Sequence, residues 1–176
     1  MEPPSRRRVG VINRSGLKLA ISPIQKAAQI ALARQPQAEG EVTILLTDDD
    51  EVRQLNRQYR GIDEATDVLT FPTAPLPGGA STEPRLPNAE GRMPNAPLGD
   101  IAIAVPYAKR QAQLRGVMLD HELQYLAIHG VLHLLGYNDE TSEDRDRMFA
   151  EMHAVGQDAG LPPDREWASI LHGEKR

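Results

Sequence analysis

Apolar and polar positions along this chain change period several times, and each change marks an element. Val9 to Ile12 and Val42 to Leu46 are short β-branched runs that predict strands, and Val68 to Phe71 and Ile101 to Val105 predict two more. Between the first two, Ser22-Pro23-Ile24 opens a segment through Arg34 with apolar residues at helical spacing. Serine followed by proline is a helix-start signal. Thr47 or Asp48 predicts the cap of a second helix running to about Tyr59, with acidic residues at its positive end. A turn at Pro106 leads into a helix through Leu114. The segment from about Leu119 to Leu135 is apolar nearly all round in its second half, which predicts a buried helix. A more polar pattern from about Ser142 to Gly156 predicts an exposed one.

Residues 73–97 break this alternation. They are rich in proline and glycine, have scarcely an apolar run, and read as a flexible surface insertion rather than a domain. The tail beyond Leu161 shows little pattern and is expected to be peripheral. The expectation is one α+β domain over residues 1–176. It has a small mixed sheet of about four strands packed with five or six helices, and the helix Leu119 to Leu135 is buried at its centre.

Composition narrows the picture. At 176 residues, 40% of them hydrophobic, the chain can bury a proper core. No run of 18 apolar residues is present, so a membrane span is not expected. The opening Met1-Glu-Pro-Pro-Ser-Arg6-Arg7-Arg8 lacks the apolar core of a signal peptide, and a cytoplasmic home fits. Without cysteine, any metal must be held by His, Asp or Glu. The formal charge of −5 argues against a nucleic-acid binder, although phosphate binding depends on local clusters. Such clusters occur at Arg53, Arg57 and Arg60 and at Lys109, Arg110 and Arg115; solvated helix faces are the plainer reading.

The chemistry concentrates in His129-Gly-Val-Leu-His133-Leu-Leu-Gly136-Tyr-Asn-Asp139. Imidazoles at i and i+4 project from one helix face and reach one ion. Gly136 is suited to end the helix and turn the chain back, so that Asp139 approaches from outside. Two nitrogens and one oxygen with a free fourth position describe a catalytic zinc site, one ion per chain, rather than a closed structural one. The competing reading is two core histidines, each bonded to a carbonyl. Glycine inside a helix costs about 1 kcal/mol relative to alanine, so Gly130 implies that something approaches the backbone closely there. It also occupies the place where HExxH peptidases carry their glutamate base, which argues against peptide hydrolysis.

Leu55-Asn56-Arg-Gln-Tyr59-Arg60-Gly-Ile-Asp63-Glu-Ala-Thr66-Asp67-Val68-Leu69-Thr-Phe71-Pro72 resembles the first signature of the YbeY family of bacterial endoribonucleases. Leu98-Gly99-Asp100-Ile101 resembles the second and His129 to Tyr137 the third, in the family's order. The resemblance implies a zincin-like fold and zinc-dependent, single-strand-specific cleavage of RNA. The implied roles are maturation of the small-subunit (16S) ribosomal RNA 3′ end and ribosome quality control. It implies RNA, ribosomal proteins or an assembly GTPase as partners, with neither membrane nor DNA expected. By resemblance His129 and His133 are metal ligands and catalytic, and Arg60 stabilises charge on the phosphorus oxygens; without the family, Arg60 reads as a surface arginine at a helix end.

One departure stands out. The family ends its third signature on a histidine ligand where this chain has Asp139. A carboxylate lowers the net charge of the site by one unit and raises the pKa of a bound water. Alternatively the site has degenerated and Asp139 is a turn residue. The insertion at 73–97 is also longer than the family's usual connection. Glu122, two turns before His129 on the same face, is too far to bind the ion; it suits the cleft, a supporting shell or an ion pair. His121, His153, His172 and Glu143 are not expected to be ligands, and Asp67 and Asp100 are read as structural carboxylates at strand boundaries. Two other functions stay open: a non-catalytic ribosome-assembly factor, and a metal-dependent hydrolase of another substrate.

Overall fold

The computed structural model describes residues 7–35, 40–73 and 97–167. Most of the 73–97 insertion, Arg6 and His172 therefore lie outside the described residues. Nine elements follow in order: β1 (Arg7–Asn13), α1 (Ile21–Ala33), β2 (Gly40–Thr47), α2 (Asp49–Arg60), β3 (Val68–Pro72), β4 (Pro97–Ala104), α3 (Val105–Arg115), α4 (Leu119–Leu134) and α5 (Ser142–Asp158). The strands form one sheet in the order β1-β2-β4-β3. β1, β2 and β4 run parallel, with Val9 opposite Val42 and Ile44 opposite Ile101. β3 closes the edge antiparallel to β4, Leu69 facing Ala102. This is the mixed α+β architecture that the hydrophobic pattern predicts.

The period-2 alternation of the strands separates two faces. Ile101 and Ile103 of β4 join Val42, Ile44 and Leu46 in the main core, against α1, α4 and α5. Ala102 and Ala104 point the other way, with Leu69 and with Val52 of α2, into a smaller cluster that Leu55, Phe71 and Tyr107 border. Small alanines on that side let α2 and α3 lie close to the sheet. Helix α4 is buried along almost its whole length, as its apolar sequence requires.

Two local expectations need correction. Helix α1 begins at Ile21, with Ala20 as an N-cap that makes no side-chain bond, so Ser22 is not the cap. Ser22 and Pro23 lie inside the first turn, where a missing proline N–H breaks no helical hydrogen bond. Strand β4 starts at Pro97 rather than Ile101, because pairing with β2 extends it through a bulge at Glu41/Val42. The exposed Asp100 therefore sits within the strand, and Val105 opens α3 without a loop, Pro106 following in its first turn. Asp48 rather than Thr47 caps α2, accepting from the Glu51 N–H at 2.8 Å.

The tail also departs from expectation. Leu161 and Trp167 are buried and belong to the main core, although the sequence around them carries no periodic signal. A single aromatic in an irregular segment leaves no pattern to read.

Candidate metal centre

The site is built by the C-terminal end of α4. Gly136 has φ +102°, a conformation that side chains disfavour. The turn it permits lets the Gly136 N–H reach the His133 carbonyl and the Tyr137 N–H reach that of Leu132, both at 3.0 Å. These two bonds are the Schellman arrangement, which satisfies carbonyls that a helix end leaves unpaired. Its product is a Tyr137 carbonyl folded back to 3.0 Å from His133 Nδ1. Facing an acceptor, Nδ1 carries the proton, so the lone pair of neutral His133 lies on Nε2. The Tyr137 hydroxyl is held in turn by Gln35 Nε2 at 3.3 Å, beyond the end of α1.

His133 Nε2 lies 3.0 Å from His129 Nε2, with the two rings nearly perpendicular. One ligand atom from each of His129, His133 and Asp139 falls within 4.8 Å of the others. His129 is buried, and His133 and Asp139 are half-buried, so the cluster opens to solvent on one side. Two nitrogens bound tetrahedrally to one zinc at about 2.0–2.1 Å stand roughly 3.3 Å apart. The observed spacing needs only a small ring adjustment, and the donor set suits a zinc-sized ion. Asp139 is thus gathered with the two imidazoles rather than turned away, and no other His/Asp/Glu group of this kind occurs among the described residues.

Behind His129 lies a second layer. The Trp167 ring packs on it at 5.1 Å between centroids, and Trp167 Nε1–H donates to Glu122 Oε1 at 2.9 Å. Arg115 Nη1 donates to Glu122 Oε2 at 2.9 Å, and Arg115 Nη2 pairs with Asp164. Burial pushes the Glu122 carboxyl up to about 7, against the opposing pull of Arg115 and the Trp167 N–H. Glu122 is therefore both an ion-pair partner and, through Trp167, a support for the cleft.

The comparisons with known proteins decide what carries this geometry. The family model described as Endoribonuclease YbeY matches residues 12–160. The chain belongs to the YbeY family. An Endoribonuclease YbeY of Moorella thermoacetica is 41% identical over 142 residues, covering 80% of this chain and 87% of the relative. One of Brevibacillus brevis is 40% identical over 132 residues, covering 74% and 82%. Against two Rhodopseudomonas palustris relatives, 42% and 39% identical, the chain spans only 58% and 66% of their length. The solution structure of TM1509 from Thermotoga maritima matches with a TM-score of 0.51 at 25% identity, covering 86% of this chain and 90% of that one.

The three YbeY-like signatures meet in space. A Cβ on Gly99 would lie 2.5 Å from the Phe71 carbonyl oxygen and 2.7 Å from Leu134 Cδ2. The second signature thus needs glycine because the end of the first and the helix of the third both press on it. Gly130 has the same logic: a Cβ there would meet Ile101 at 2.8–2.9 Å, so β4 is what approaches the helix backbone.

Arg60 ends α2 in an exposed position. Its neighbour Tyr59 is 63% exposed and stacks edge-on against Phe71 at 5.2 Å. His121, His153 and Glu143 are not part of this group. Asp67 is buried and accepts from the Val68 N–H at 2.8 Å, a structural duty at the start of β3. Trp167 and Arg115 are the participants that sequence reasoning missed; an ion pair across 49 residues and an isolated tryptophan leave no local signature.

Proposed function

We propose that this chain is a zinc-dependent endoribonuclease that cleaves single-stranded RNA and matures the 3′ end of small-subunit ribosomal RNA in the cytoplasm. The observation that carries the reading is the convergence of His129, His133 and Asp139 in a chain of the YbeY family. His129, His133 and Asp139 would hold the ion, and zinc bound there would supply Lewis acidity toward the scissile phosphodiester. His133 and Asp139 are half-buried, so an ion held there would be open to a phosphate oxygen on that side. Arg60 would neutralise charge developing on the non-bridging oxygens through bidentate hydrogen bonds. Arg57, Tyr59 and Arg60 at the end of α2 combine exposed guanidinium groups with an exposed aromatic ring. Such a set suits single strands, whose bases are free to stack. It offsets the unfavourable net charge locally. No helix among the described residues is long and apolar enough to cross a membrane.

The test is elemental analysis of the purified protein followed by cleavage of matched single- and double-stranded RNA. About one zinc per chain and cleavage confined to single strands are expected, with chelation abolishing activity. Arg60→Ala should retain zinc and slow cleavage on the order of 10²-fold. RNA binding without metal-dependent cleavage would overturn the enzyme reading in favour of an assembly factor. Cleavage of peptides with RNA intact would favour another hydrolase.

A further inference from the structure

Residues 161–167 lie beyond the range the family model matches, yet they are clipped to the helices behind the metal centre at three points. The Tyr125 hydroxyl donates to the Pro162 carbonyl at 2.7 Å. Arg115 pairs with Asp164. Trp167 donates to Glu122 at 2.9 Å. The indole is only 2% exposed and leans on the His129 ring. His133 is oriented by the hydrogen bond its Nδ1–H donates to the Tyr137 carbonyl of its own turn. His129 is two helical turns from Glu122 on α4, about 10 Å along the axis, and the indole bridges that span. One helix thus carries both the anchor of the tryptophan and the imidazole it backs.

We infer that Trp167 is a positioning residue for the metal centre, holding the His129 ring in its ligating orientation while Glu122 and Arg115 fix the indole. The inference rests on the metal reading of His129, His133 and Asp139. A buried indole N–H needs an acceptor, for which a backbone carbonyl would serve; here it is a buried carboxylate on the helix that carries His129. Burying Glu122 is costly unless its partners are well made, and here one of its oxygens accepts from the indole N–H and the other from Arg115. Partners that orient metal ligands typically change metal affinity 10- to 100-fold when removed.

Trp167 is the single tryptophan of the chain, so tryptophan emission comes from this place in the fold alone. In the full-length protein, Co²⁺ should quench Trp167 fluorescence in step with site occupancy, and His129→Ala should abolish that quenching. By chelator competition, Trp167→Ala should bind zinc about ten-fold more weakly or worse and alter the Co²⁺ absorption spectrum. Trp167→Phe, which keeps a ring against His129, should lose less. Val9→Ala, a core change in β1 remote from His129, should lower Tm and leave zinc affinity unchanged. Zinc affinity in Trp167→Ala equal to wild type would overturn the inference. So would an equal loss in Val9→Ala, or emission indifferent to bound Co²⁺. Should Trp167→Ala not fold, Trp167→Leu, which fills space without a ring on His129, takes its place, and zinc affinity equal to wild type in that variant would overturn the inference. A wild type that binds no metal would overturn the metal reading itself, and this inference with it; zinc held equally by wild type and Trp167→Ala would sink this inference alone.

Discussion

Asp139 brings a carboxylate to a cluster whose other two donors are imidazoles, and an anionic ligand holds zinc while reducing the net charge of the site. Removing it leaves two nitrogens of one helix, which bind zinc far more weakly than three donors. Asp139→Ala should therefore cut zinc affinity sharply with far-ultraviolet dichroism and Tm nearly unchanged, since the residue is half-buried and outside the helices. Affinity equal to wild type would show Asp139 to be a turn residue only. Asp139→His makes the complementary change. It should retain zinc, raise the site's net charge by one unit, and move the acidic limb of the cleavage pH profile to lower pH. A profile that does not move would mean that the charge of this ligand does not set that limb.

Helix α4 is shaped by two glycines with different physical demands. At Gly136 there is room for a methyl group, and only the backbone angle objects. Gly136→Ala should cost about 1–2 kcal/mol. It should also weaken zinc binding, because the strained turn delivers the Tyr137 carbonyl to His133. Equal zinc affinity would separate the turn from the metal centre. At Gly130 the backbone is ordinary helix and the space is missing. A methyl group would gain about 1 kcal/mol of helix propensity, but Ile101 lies under 3 Å from it at two atoms, one of them close to the strand backbone. Overpacking of this kind costs typically about 1–3 kcal/mol, so Gly130→Ala should lower Tm, and Ile101→Val in the same chain should recover part of the loss. A rise in Tm would show that β4 yields more easily than the packing implies.

At the scale of the whole molecule, Arg115, Glu122, Asp164 and Trp167 join α3, α4 and the segment after α5 through buried or nearly buried charges. Because burial raises the Glu122 carboxyl to about 7 from its ordinary 4.5, the folded chain keeps this proton where the unfolded chain has lost it. This contribution to stability is complete below about pH 4.5 and declines as pH rises through about 7. Glu122→Gln lacks it, so the Tm difference between variant and wild type should move in the variant's favour between about pH 5 and pH 7.5. A pH-independent difference would mean that Arg115 and the Trp167 N–H keep Glu122 ionised throughout. Arg34 adds a surface link, its guanidinium meeting Glu151 of α5 at 3.0 Å and Asp158 at 3.1 Å. Exposed pairs of this kind contribute little on their own.

Local patterns carry most of the architecture, because burial repeats with the geometry of the element that is buried. Period-2 and near-continuous apolar runs mark the four strands, and the run around Ile128 marks a helix with no solvent face. The pair His129 and His133, the stop at Gly136 and the return of Asp139 are likewise local, since all four lie within eleven residues whose conformation is set by a helix and its cap. The sequence shows that Gly130 admits a close neighbour but not that the neighbour is Ile101. It contains Gly99 without showing that Phe71 and Leu134 converge on it. Arg115 reads as one more solvated charge and Trp167 as part of a peripheral tail, yet they meet at Glu122. Arg115 and Glu122 are seven residues apart but on different helices, and the other contacts join residues tens of positions apart; none carries a periodicity, so only the packing of α3, α4 and the final segment against one another determines them.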